Sequence, residues 1–191
     1  MERYRRLFAA LEAIFGKGYV SRLMGKQSKE EDLEERFLDR DFEGVSINTL
    51  SIDSPLIPIL ECRLKEANKC LQAGASLSVI FLCGSILEGI LLGVALQNSK
   101  RFREVSNSPK DRSGKVKPFP EWSLAQFIEV AYELGLLQID VKKFSHVLRN
   151  FRNYIHPYEQ MASSFDPDQY TAKICMQVLK AAIAGLSGMR G

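Results

Sequence analysis

Apolar side chains recur along this chain in steps of three and four, with Gly, Pro and capping residues between the runs. No segment alternates apolar and polar residues between hairpin turns, so the pattern predicts an all-α fold. A first helix is expected from about Glu2 to Phe15, with Leu7, Leu11 and Ile14 on one side and Gly16 as its stop. Ser28 with Glu31 has the form of a capping box opening a short charged helix to about Asp41. Glu43 to Asp53 is polar and irregular. It divides the chain into an N-terminal helical extension, residues 1–50, and an antiparallel helical bundle, residues 51–191.

Ser54 and Pro55 supply an N-cap and a first-turn proline for a helix reaching Gln72, with Gly74 as its terminator. Leu77 to Leu96 follows, twenty residues with a single charge, Glu88. Its length and its Gly89-x-x-x-Gly93 spacing suit a membrane span. A carboxylate near the middle opposes that reading at roughly 2.5–3.5 kcal/mol, and no second span follows. The expectation adopted is no membrane. The run becomes a central helix buried all round, with Gly84, Gly89 and Gly93 permitting close approach. Glu88 then needs a cationic or hydrogen-bonding partner.

Further on, Ser123 with Gln126 makes another capping box, for a helix from Leu124 to Leu134 closed by Gly135. Asp140 is expected to cap the next helix, and Asp166-Pro167 to open a last one running to about Gly185.

At 191 residues, 46% hydrophobic and 26% charged, the chain has the balance of a folded domain. It should bury roughly 70% of its unfolded surface, so its core needs no disulfides. Cys62, Cys70, Cys83 and Cys175 lie in apolar helical stretches without a C-x-x-C or a metal-spaced histidine pair. They read as buried free thiols in a reducing, cytoplasmic setting, with no metal or cofactor. The basic start Met1 to Arg6 is followed only by short apolar runs broken by Glu12, so it has no signal-peptide pattern.

The net charge of +3 is too small to announce a nucleic-acid binder by bulk electrostatics. The charge is unevenly spread. Ser99 to Pro118 has no apolar periodicity and carries Lys100, Arg101, Arg103, Lys110, Arg112, Lys115 and Lys117 against Glu104 and Asp111, a surplus of +5. It reads either as a solvated, mobile connection or as an RNA-contacting loop, with Phe102 and Phe119 available to stack on bases.

On the helix after Asp140, Val141, Phe144, Leu148, Phe151 and Ile155 form a core-facing stripe. Ser145, Arg149, Arg152 and His156 fall within about 60° of one another along its edge. Pro157 disfavours helix at His156, which places the imidazole at the helix C-terminus. An anion bound there needs the forks of Arg149 and Arg152. The alternatives are ordinary ion pairing of the arginines, including with Glu88, and a helix-capping role for His156. His146, some 80° away, reads as a surface residue.

The segment Leu148-Arg149-Asn150-Phe151-Arg152-Asn153-Tyr154-Ile155-His156-Pro157 resembles the signature of the HEPN superfamily, an arginine followed after four to six residues by a histidine near a helix end. Six residues separate Arg149 from His156, and three separate Arg152 from it. Arg152-Asn153 resembles the usual Arg-Asn pair one residue short, so either arginine can fill the family role. Ser85 to Glu88 in a buried helix and Gly135-Leu136-Leu137 before the signature helix fit the same resemblance, which spans roughly Pro55 to Gly185. His156-Pro157-Tyr158 looks like the His-x-Tyr extension of toxin members, in which the tyrosine receives a nucleotide from a nucleotidyltransferase antitoxin.

The resemblance implies a homodimer with two signature helices facing each other. It implies a metal-independent endoribonuclease acting on RNA, as the toxin of a toxin–antitoxin or phage-defence system. His156 would act as acid and base, and Arg149 and Arg152 would stabilise phosphorus-centred charge in place of a metal. Asn150 or Asn153 would orient substrate or histidine. Tyr158 would be a modification site. The alternative is a non-catalytic HEPN-like module that binds nucleotide or protein and uses its arginines structurally against Glu88.

Overall fold

The computed structural model describes Phe42, residues 44–152, Tyr154, residues 156–163 and residues 166–188, with the Arg152 side chain outside the description. The expected helices at Glu2 to Phe15 and up to Asp41 lie outside these residues, as do Asn153 and Ile155. Among the described residues are seven α-helices and no strand, the all-α class expected. They are α1 (Leu56–Gln72), α2 (Ser76–Gln97), α3 (Ser99–Glu104), α4 (Leu124–Glu133), α5 (Ile139–Arg152), α6 (Pro157–Ser163) and α7 (Gln169–Leu186), with 3-10 turns at Ile47–Thr49 and Phe119–Glu121.

Local chemistry explains most helix ends. Gly74 (φ 74°) and Gly135 (φ 71°) close α1 and α4 in the left-handed conformation that glycine adopts without a Cβ clash. Behind Gly135 the amides of Gly135 and Leu136 reach back to the carbonyls of Tyr132 and Ala131, both at 2.9 Å. Ser123 and Gln126 form the expected reciprocal capping box of α4.

Three helix starts differ from expectation. Pro55 itself caps α1, and the Leu56 amide donates to the Asp53 carbonyl at 2.9 Å, so Ser54 caps nothing. In α5 the Lys142 amide donates to the Gln138 carbonyl, which puts Asp140 inside the first turn, where its carboxylate accepts from the Val141 amide at 2.7 Å. Asp168, two residues beyond Asp166, caps α7 by accepting from the Thr171 amide at 2.9 Å and hydroxyl at 3.0 Å.

Helix α2 is the hub, in contact with α1, α4, α5 and α7. The α1–α2 hairpin is antiparallel and close-packed. A Cβ on Gly89 would stand 3.0 Å from Leu60 Cδ2, and one on Gly93 would stand 2.9 Å from Ile52 Cγ2. Both glycines therefore permit the approach their spacing suggests. The expected burial all round holds for only part of the circumference. Val79, Ile80, Cys83, Leu87, Ile90 and Val94 belong to a broad buried face, whereas Phe81, Ser85, Glu88 and Leu92 are half-buried and Leu96 is exposed. By length and composition α2 could cross a membrane, and 61% of its most apolar window is buried within the protein.

Phe42, Ile47 and Leu50 join the same core, so the described part of the extension packs with the bundle. The cysteines divide. Cys83 and Cys175 are buried free thiols, and burial pushes Cys83 up to about 12 and Cys175 well above the usual thiol value. Cys62 is exposed and Cys70 half-buried, contrary to expectation, because α1 is amphipathic and Cys62 shares its polar arc with Glu66 and Lys69.

Candidate functional site

Helix α5 carries the signature residues. Val141, Phe144, Leu148 and Phe151 are buried as their spacing requires, and Val147 joins them. They fix the rotation of the helix and so the placement of the polar positions. Arg149 and Asn150 sit half-buried in its last turn, where Arg149 Nη1 donates to Asn150 Oδ1 at 3.2 Å. Glu88 is half-buried in α2, where on the side toward α1 Arg63 donates to Ser85 Oγ.

Ser145, expected on the rim beside Arg149, is fully buried, and among the described residues its hydroxyl has no hydrogen-bond partner. The reason is the breadth of the contact: α5 touches α2, α4 and α7, so its buried face extends past the apolar stripe.

The helix ends at Arg152, earlier than expected. Tyr154 follows, 7% exposed, with its ring 6.0 Å from that of Phe151. His156 is exposed, and its carbonyl accepts from the amides of Glu159 and Gln160 at 3.0 and 3.3 Å. The imidazole therefore stands at the amino end of α6 and not at the carbonyl end of α5, because Pro157 starts a new helix instead of merely ending the old one. Tyr158, on that short helix, is 80% exposed.

His146 is no free surface residue. Its Nε2 lies 2.8 Å from Glu129 Oε1 on α4, and Lys142 Nζ is 2.7 Å from Glu129 Oε2 with the Tyr132 ring 4.4 Å away. Glu129 and Lys142 nearly mirror each other about Gly135 in the α4–α5 hairpin. That symmetry is a signal in the sequence.

The basic segment differs from the sequence reading in its helical start and in its two phenylalanines. Its first residues form α3, with Phe102 fully buried, and Phe119 is 2% exposed. The two rings stand edge-to-face at 6.4 Å, and Phe119 also packs on Trp122 and Phe127. Neither phenylalanine is available to a base. They are buried because this aromatic cluster closes the end of the core. Trp122 Nε1 donates to the Lys117 carbonyl at 2.9 Å, and the Arg103 guanidinium lies 4.7 Å from the Phe119 ring centre.

Two carboxylates organise the stretch from 105 to 118. Glu133 of α4 accepts from the Ser106 amide at 2.8 Å, the Ser106 hydroxyl at 2.6 Å and the Asn107 amide at 2.9 Å. Asp111 accepts from the amide and hydroxyl of Ser113 and from the Lys115 amide. The Ser113 hydroxyl first, then the Lys115 amide, hold Asp111 below the usual carboxylate value, and the Ser106 hydroxyl and Asn107 amide do the same for Glu133. A bridge pairs Lys110 with Val116. Lys100, Arg101, Arg103, Lys110, Arg112 and Lys115 are exposed and Lys117 half-buried.

No group of three or more His, Cys, Asp or Glu side chains with metal-holding geometry occurs among the described residues. No family model, curated protein or solved structure matches the chain.

Proposed function

We propose that this protein is a metal-independent endoribonuclease of the HEPN type, with Arg149, Arg152 and His156 as its reactive set. The observation that carries this reading is the pairing of a half-buried arginine in the last turn of α5 with a solvent-exposed histidine just past that helix. A neutral His156 accepts the proton of an RNA 2′-hydroxyl as its oxygen attacks the adjacent phosphorus. The bond to the 5′-oxygen breaks, and a second, protonated imidazole donates to that leaving oxygen. The products are a 2′,3′-cyclic phosphate and a free 5′-hydroxyl. Arg149 and Arg152 stabilise the charge that builds on the phosphoryl oxygens. With one such histidine per chain, the second imidazole comes from another copy, so the active form is a homodimer.

Arg149 bonds to Asn150 in its own helix and keeps part of its surface open to solvent. This favours catalysis over the alternative of a non-catalytic module whose arginines are locked structurally. The exposure of Tyr158 suits modification by a nucleotidyltransferase-type antitoxin in a toxin–antitoxin or phage-defence system.

The test is purified protein acting on mixed RNA in a chelator. We expect fragments with 2′,3′-cyclic phosphate ends, and a loss of roughly 10²–10⁴-fold in rate for His156→Ala with unchanged melting. Undiminished cleavage by that variant would remove His156 from the chemistry.

A further inference from the structure

The basic segment from Ser99 to Pro118 is a hydrogen-bonded strap whose exposed cations outnumber its carboxylates. Asp111 turns its carboxylate onto backbone amides, and Glu133 does so from α4. The cations of the strap make no ion pair with any described residue. Its surplus of +5, or +4 with Glu133 counted, is carried on exposed side chains, save the half-buried Lys117, on a scaffold that is already folded. A preorganised array of this kind loses little conformational entropy when an anion docks. Within the strap no large apolar side chain is exposed, since Phe102 and Phe119 are buried and Val105 and Val116 half-buried. That disfavours a lipid surface, where cations work together with inserted apolar groups. It equally removes the stacking platform that gives single-strand binders their hold on bases.

We propose that this strap holds RNA through its phosphates alone, using Lys100, Arg101, Lys110, Arg112 and Lys115, and that it accepts single strands and duplexes without regard to base sequence. The proposal rests on the ribonuclease reading and defines its substrate class as RNA selected by backbone charge. Discrimination among sequences then falls to the Arg149 and His156 region.

The full chain is titrated with fluorescent 2′-O-methyl RNA of two unrelated sequences, each as single strand and as duplex, between 50 and 200 mM salt. These probes keep every phosphate and block the attacking hydroxyl. Affinity should fall steeply with salt and be alike for the two sequences. In the triple variant Lys110→Gln, Arg112→Gln, Lys115→Gln the log–log salt slope should drop by about 2–3, with both sequences weakened equally. Because these side chains are exposed and make no ion pair with any described residue, the melting temperature should stay put. Lys100→Gln with Arg101→Gln on α3 gives a second, independent reading, with a slope drop of about 2.

An unchanged slope, a strong preference for one sequence, or binding to phosphatidylserine vesicles with none to RNA would each overturn the assignment. If ordinary RNA stays uncut in chelator while the slope behaves as expected, the ribonuclease reading fails and the strap assignment stands. Cleavage with an unchanged slope overturns the strap alone.

Discussion

A hydroxyl sealed into a helix interface without a partner is a cost, and among the described residues Ser145 is in that position. Leaving a buried polar group unsatisfied costs about 1–3 kcal/mol, and serine is a weaker helix former than alanine by a few tenths, up to about 0.5 kcal/mol. Ser145→Ala is therefore expected to raise the unfolding free energy by about 1–2 kcal/mol in urea titrations followed by the single tryptophan, Trp122, which is buried against Phe119 and Phe127. A loss of stability would mean that the hydroxyl is satisfied after all. The position also separates two kinds of polar residue on α5. Arg149 and Asn150 keep part of their surface in solvent, so their polar groups remain available to a ligand, whereas Ser145, one turn earlier, has no such access.

Between elements, the Glu129 contacts with Lys142 and His146 are the polar clasp of the α4–α5 hairpin. Burial pushes the Glu129 carboxyl up, but the hydrogen bonds from Lys142 and His146 outweigh it and leave the group below its ordinary value of 4.5. A depressed carboxylate stabilises the fold at pH above that ordinary value and loses its contribution as pH falls through the folded one. Glu129 is 37% exposed, so solvent screening holds the clasp to at most about 1 kcal/mol. Wild type should melt above Glu129→Gln at neutral pH, and the gap should close as pH falls below 4.5 and through the folded carboxyl's lower value; a gap that widened on acidification would contradict the clasp. The same hairpin shows what was legible in advance. Ser123 with Gln126 and the stops at Gly74 and Gly135 were readable because each is settled by partners within five residues. Asp140 and Asp166 were misplaced as caps because several neighbouring residues compete for that role, and the winner depends on how the whole helix packs. The order in the strap was hidden for a different reason. Its clamp, Glu133, lies 26 residues along the chain from Asn107, and Phe102 is embedded among charges with no period to announce that it is buried. The position of His156 was half legible: Pro157 revealed the break in the helix, but not that a second helix begins there.

At the scale of the whole molecule, everything turns on α2. A stretch of twenty residues with one charge fits a bilayer or a core equally well by composition, and what differs is the asymmetry of its surroundings. In this fold Leu87 is fully buried and in the same helix Leu96 is 50% exposed. Deleting the Leu87 side chain should leave a cavity lined by neighbouring helices and cost about 2–5 kcal/mol. Leu96→Ala gives up only half-exposed surface and should cost less than about 1 kcal/mol. In a lipid-embedded helix both leucines would meet hydrocarbon, and no such contrast would arise. Because α2 touches α1, α4, α5 and α7, the Leu87→Ala loss should appear as one cooperative shift in urea. Circular dichroism and Trp122 fluorescence should move together. Separate transitions would show that the Trp122 cluster, and with it the strap, folds independently of the helix that organises the rest of the bundle. The basic strap is joined to α2 through Asn98, whose amide donates to the Val94 carbonyl and whose carbonyl accepts from the Phe102 amide. If the strap holds RNA as proposed, a weakened α2 should loosen that grip as it lowers the melting temperature, while variants confined to the exposed cations change the grip alone.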